Sequence, residues 1–148
     1  MRIRTNNRWG RLSEDVVRAF EARHDISLPA DYRSFLLAHH GGVPDPDFYW
    51  VVPRDWGSCI CNFYGLGDLE YNLEEYYGGR ASIGVPNDLL PIGDDGCGNY
   101  LCLDIRGQHL GHVYYVDCEY WPEEAEKVRH LATSFNEFIE SLTESPEH

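Results

Sequence analysis

Apolar residues recur along this chain with two different periods, and the switch between them divides it. Beyond Ser13, Val16, Val17 and Phe20 form an apolar stripe among charged neighbours, the spacing of a surface helix with one buried face. Ser13 is a good N-cap, Glu14 and Asp15 put negative charge on the first turn, and Leu12 and Val17 hold the staple positions. This helix is expected to run to about His24. A second opens at Leu28-Pro29-Ala30-Asp31, with Pro29 at the first helical position and Tyr32, Phe35, Leu36 and His39 spaced by three and four. Gly41-Gly42 ends it, and His39 and His40 are expected to cap it, since a cation there complements the dipole.

Past a proline-broken loop at 43–47, the aromatic and β-branched run Phe48-Tyr49-Trp50-Val51-Val52 reads as a strand stopped by Pro53. Cys59 to Tyr64 reads as a further strand ending at Gly65-Leu66-Gly67. Leu69, Leu73, Tyr76 and Tyr77 return to helical spacing before Gly78-Gly79, and Glu70, Glu74 and Glu75 give that piece an acidic face, read as ordinary solvation. Leu101, Leu103 and Ile105 alternate with Tyr100, Cys102 and Asp104, predicting a strand with one core face and one more polar face. Residues 112–117 alternate well enough to pair antiparallel with it, which would bring Asp117 and Glu119 to the same end as Asp94 and Asp95. Pro122 to Lys127 reads as a connection. Ser134 and Glu137 have capping-box spacing, and Phe135, Phe138, Ile139 and Leu142 mark a last amphipathic helix before a frayed tail. Helices, then sequential strands, then a helix imply an α+β fold: one domain spanning 1–148, ordered from about 10 to 143, with an antiparallel sheet and helices on one face.

The candidate chemistry centres on the glycine-rich acidic turn before the best strand, Gly93-Asp94-Asp95-Gly96-Cys97-Gly98-Asn99. A dinucleotide cradle would need a third glycine and a following helix, and here a strand follows. A calcium loop would need acids at alternate positions. The remaining local reading is that Gly96 and Gly98 supply positive φ in a tight turn, with the aspartates at its mouth. An enzyme would draw on Cys97 or Cys102 as nucleophile with His109 or His112 as base, although cysteine in or beside a strand is usually a small buried hydrophobe. Zinc held by some of the cysteines with His109 or His112 lacks a recognised ligand spacing. No metal and no cofactor is therefore expected.

Charge narrows the partners. The chain of 148 residues carries 12 Lys and Arg against 25 Asp and Glu, a net charge of −13. Such a surface repels nucleic-acid backbones and anionic membranes and complements a basic protein. Five cysteines, an odd number with no paired C-x-x-C, read as free thiols. With no apolar run that reads as an export signal or membrane span, they imply a cytoplasmic protein.

Four segments in order carry a family pattern: Leu28 to Leu36 with Gly41-Gly42, Leu90 to Tyr100, Val113 to Glu119, and Ser134 to Ile139. On them the chain resembles the SUKH superfamily, which includes bacterial immunity proteins and the fungal cell-wall assembly regulators. Cys118 stands where histidine is expected, and Cys97 where glycine is common. The resemblance implies an α+β fold without enzymatic activity, most often used to bind and neutralise a toxin domain, commonly a nuclease or nucleic-acid deaminase. It makes Asp94, Asp95, Asp117 and Glu119 candidate toxin-binding acids, with Tyr49, Trp50 and Tyr100 as aromatic anchors, in a monomer or homodimer. An intracellular regulatory scaffold unconnected with toxins is the alternative, and the two aspartates of the turn read equally well as stabilisers of the fold.

Overall fold

The computed structural model describes residues 11–118 and 127–146, together with the backbone of Ile3 and Arg4. Ser13 caps α1 (Glu14–His24), its side chain accepting from the Val16 amide. Val17 and Phe20 are fully buried while Val16 is exposed, so the buried stripe is narrower than the apolar one. Pro29 is the N-cap of α2 (Ala30–Ala38) rather than its first residue. Asp31 in the first turn accepts from the Asn136 amide at 3.0 Å. That amide is a free donor near the start of α5 (Phe135–Ser141), so one carboxylate joins the two helix starts across 105 residues of sequence.

Five strands form an antiparallel meander in the order β5 (Asn62–Phe63), β6 (Leu89–Asp94), β7 (Tyr100–Asp104), β8 (Val113–Val116) and β9 (Val128–Ala132). A hairpin of β3 (Phe48–Val52) with β4 (Trp56–Cys59) and a short pair of β1 (Ile3–Arg4) with β2 (Val43–Pro44) complete the strands of the described residues. The single strand expected over 59–64 is thus two, with β4 in the hairpin and β5 at the edge of the main sheet. The helix expected from Asp68 begins later, as α3 (Leu73–Gly78) capped by Asn72, and is followed by a separate turn of helix, α4 (Arg80–Ile83). Strand β9 falls in a stretch without strand-like alternation, and the connection expected up to Lys127 lies mostly outside the described residues.

One face of the sheet receives Leu90, Leu103, Val113 and Ala132 in a row across four strands. They pack with Val17, Phe20, Tyr32, Leu36, Phe135 and Phe138 into the main core. The other face of β7 is not polar, as expected, but buried: Cys102 packs with Val85, Leu89 and Val116 in a second apolar cluster, against which Ile83 of α4 also lies. Leu101 to Ile105 are consequently all buried. Asp104 among them is 5% exposed, because its carboxylate turns back onto the β7–β8 loop and accepts from the amides of Arg106, Gly107 and His109. Helices α1 and α3 are tied by charge. Glu74 of α3 accepts from Arg23 at 2.7 Å and pairs with His24, so part of the acidic face of α3 is engaged with α1 rather than solvated.

Two stability effects follow. Asp104→Ala leaves three amide donors without their acceptor and should cost about 1–3 kcal/mol in urea unfolding; an unchanged midpoint would show that water replaces the carboxylate fully. Burial raises the Glu74 carboxyl, but hydrogen bonds from His24 and Arg23 outweigh it and hold the group below its ordinary value. A depressed carboxyl contributes stability above its unfolded pKa near 4.5 that is lost as pH falls through the folded value. Glu74→Gln should therefore flatten the acid limb of the stability profile, measured by thermal unfolding between pH 6 and about pH 3.

Candidate functional site

The acidic turn joins β6 to β7 at one end of the sheet. Gly96 and Gly98 both have positive φ, +78° and +87°, as the turn reading requires. Asp95 organises it: one carboxylate oxygen accepts from the amides of Cys97 (2.8 Å) and Asn99 (3.2 Å), the other from the Asn99 side chain (3.0 Å) and from Ser58 of β4 (3.3 Å). Asp94 faces differently. It accepts from the Gly96 amide and Asn62 side chain, both at 3.1 Å, and from the Tyr64 hydroxyl at 2.6 Å. The turn is thus pinned to β4 through Asp95 and to the edge strand β5 through Asp94.

Around Asp94 stands a group of tyrosines. Tyr64 stacks on Tyr76 at 4.1 Å and lies parallel to Tyr71 at 6.4 Å, both with 9° between ring planes. Tyr76 meets Tyr100 at 6.0 Å. Burial and the Asp94 hydrogen bond push the Tyr64 hydroxyl far above the ordinary tyrosine range, and burial with nearby Cys118 raises Tyr100 to about 12; both are neutral donors at any physiological pH. A concave pocket of about 200 Å³ opens here, lined by Asn62, Tyr71, Asp94, Gly96, Gly98 and Tyr100. Its chemistry is one carboxylate, hydroxyl-bearing aromatic walls and no cation among the lining residues.

The antiparallel register brings the predicted acids together as far as it can be followed. Asp94 pairs with Tyr100, and Tyr100 with Val116, one residue before Asp117. The Cys118 amide donates to Asn99 in the turn at 3.3 Å. Glu119 lies outside the described residues. The hairpin anchors do not join this group. Tyr49 is 3% exposed, its ring against Phe138 and Tyr115, so it is a core residue rather than a surface anchor. Trp50 is 38% exposed and packs edge-on to Phe48, but alternation turns it to the side of β3 opposite Tyr49 and Ser58, hence away from Asp95. Sequence reasoning misses Asn62, Tyr64, Tyr71 and Tyr76: Asn62 and Tyr64 fall in an expected strand, Tyr76 in an expected helix, and no pattern singles out Tyr71.

The cysteine and histidine candidates are separated. Cys102 is fully buried and burial pushes its thiol well up. Cys97 precedes β7 whereas His109 and His112 follow it, so a strand length of roughly 13 Å stands between them. Among the described residues no group of three or more His, Cys, Asp or Glu is placed to hold a metal ion, and no helix is long and apolar enough to cross a membrane. His40 does not cap α2; its Nε2 meets the backbone of Leu66, 2.7 Å from the carbonyl and 2.9 Å from the amide, so it fastens the loop after β5.

An antiparallel meander with helices packed on one face defines an α+β domain, and the family comparison agrees with it. Residues 11–141 match the model of the SMI1 / KNR4 family (SUKH-1), and the chain belongs to that family. It is 25% identical over 154 aligned positions to the SPbeta prophage-derived uncharacterized protein YokK of Bacillus subtilis (strain 168), covering 90% of this chain and 76% of that protein. Among solved structures, a protein from Pseudomonas syringae pv. tomato superposes with a TM-score of 0.52 at 21% identity, over 86% of this chain and 76% of the other; that likeness concerns the fold.

The hydrogen bonds predict an order of effects. Tyr64→Phe removes one bond to a carboxylate and should cost about 1–2 kcal/mol, while Asp95→Ala removes four bonds and should cost more and speed hydrogen exchange at the amides of Cys97 and Asn99. Equal losses in urea unfolding would contradict the division of labour between the two aspartates.

Proposed function

We propose that this chain is an immunity protein that binds a cognate toxin domain, a basic nuclease or deaminase, in the cytoplasm and neutralises it by occupancy, without chemistry of its own. Membership of the SUKH-1 family across residues 11–141 carries the reading. The prophage origin of the relative in Bacillus subtilis supports it, since mobile elements are a natural setting for such pairs. So does electrostatics. A net charge of −13 accelerates encounter with a cationic cleft.

The pocket at the β6–β7 turn is the contact we assign to the partner. Tyr71 and Tyr100 offer rigid aromatic walls, the residue type that dominates interface energetics, and Asp94 a carboxylate of which three hydrogen bonds are already internal. A basic side chain entering between them would gain a charge-assisted hydrogen bond and a cation over a ring face. Asp117 supplies further negative charge one residue beyond the same strand row.

The test is co-expression with the toxin domain encoded beside the gene. A stoichiometric complex that weakens with salt, and rescue of growth, are expected; absence of both overturns the proposal and leaves a scaffold function in its place. Tyr71→Ala and Tyr100→Ala should each cost about 2 kcal/mol of binding, roughly 30-fold, with Trp50→Ala within about twofold of the parent. Rescue that survives both tyrosine changes would move the interface elsewhere.

A further inference from the structure

At the opposite end of β7 three imidazoles gather. His109 in the β7–β8 loop stacks on His112 at 5.0 Å between ring centres, and His112 lies 5.0 Å from His130 of β9. The Nδ1 of His112 stands 2.9 Å from the Nε2 of His130. Their placement follows from register. Tyr114 of β8 pairs with His130, and His112, two residues before Tyr114, shares its side of the sheet. The Tyr114 ring meets His130 edge-on at 5.4 Å, so His112 is buttressed by one ring and His130 by another. Both are open to solvent at least in part.

We propose that His112 and His130 form a two-nitrogen site for a first-row divalent ion such as Ni2+ or Cu2+. Imidazole nitrogens bind first-row ions at about 2.0–2.1 Å. Two of them on one ion at a right angle are then roughly 2.9 Å apart, against about 3.3 Å at the tetrahedral angle. The 2.9 Å separation in the fold is that of a hydrogen bond between the rings, within about half an ångström of either value, so one ion can span the pair after a small movement of the rings. In the metal-free pair a single proton bridges the two nitrogens. On binding, that proton moves to the far nitrogen of its own ring, so a neutral pair takes up the ion without releasing a proton. No group of three or more ligand-type side chains is placed for a metal among the described residues, so water fills the other positions. The net charge of −13 raises the local cation concentration. This site lies at the far end of β7 from the tyrosine pocket and does not depend on the partner-binding reading.

The experiment is a Ni2+ titration of the full chain, free of any affinity tag, followed by calorimetry and by paramagnetic broadening of NMR signals. One ion per chain is expected, with broadening centred on His109, His112, Tyr114 and His130. His112→Asn and His130→Asn should each weaken binding on the order of tenfold or more, and the double variant should abolish it, while a Cys61→Ser/Cys97→Ser variant binds as the parent does. Matched far-UV spectra separate ligand loss from misfolding. Broadening centred on the cysteines, binding that survives the double histidine change, or no binding at millimolar Ni2+ overturns the site.

Discussion

Burial of β7 on both faces is the constraint on which the rest of this protein depends. A strand with Leu101 and Leu103 on one side and Cys102 on the other must be covered twice, so the helices from the two chain ends can occupy only one side. The segment from Ile83 to Val85 must cross to close the second. With β6 and β8 paired along both its edges, β7 is enclosed along its length, and the chain reaches the surface where it enters and leaves that strand. The two candidate sites lie at those ends for that reason: the acidic turn leads into β7, and the histidine loop leads out of it.

Carboxylates hold those ends in place. Asp31, Asp94, Asp95 and Asp104 each accept from backbone amides, and three of the four also tie a loop or helix to a neighbouring element. A chain with 25 acidic residues thus uses some of its charge as internal acceptors for turn and helix-start donors, where an anion is favoured. Asp95 makes four hydrogen bonds within the fold, whereas Asp94 both closes the turn and lines an open pocket. That double use lets a fold-stabilising motif also line the pocket that we propose as the partner contact.

The tyrosine group adds rigidity to that pocket. Tyr64 is held by its hydroxyl bond to Asp94 and by its stack on Tyr76, so Asp94 and the rings are fixed within the fold itself, which would lower the ordering cost of the association we propose. Trp50, by contrast, packs only on Phe48 among its described ring contacts and has no carboxylate among them.

Local signals in the chain determined much: the caps at Ser13 and Ser134, the positive φ of Gly96 and Gly98, the α+β order of elements and the hairpin register that sets Asp117 beside the acidic turn. These are properties of residues a few positions apart, or of one strand pair. Only the tertiary structure decided that Tyr49 is core and Trp50 surface, that the polar-looking side of β7 is covered, and that Tyr64, Tyr71 and Tyr76 converge on Asp94. It alone joined His112 to His130, eighteen residues apart through a strand that carries no alternation. Such outcomes depend on which element comes to lie against which face, and that choice is made by the packing of the whole core, not by the neighbours of any one residue.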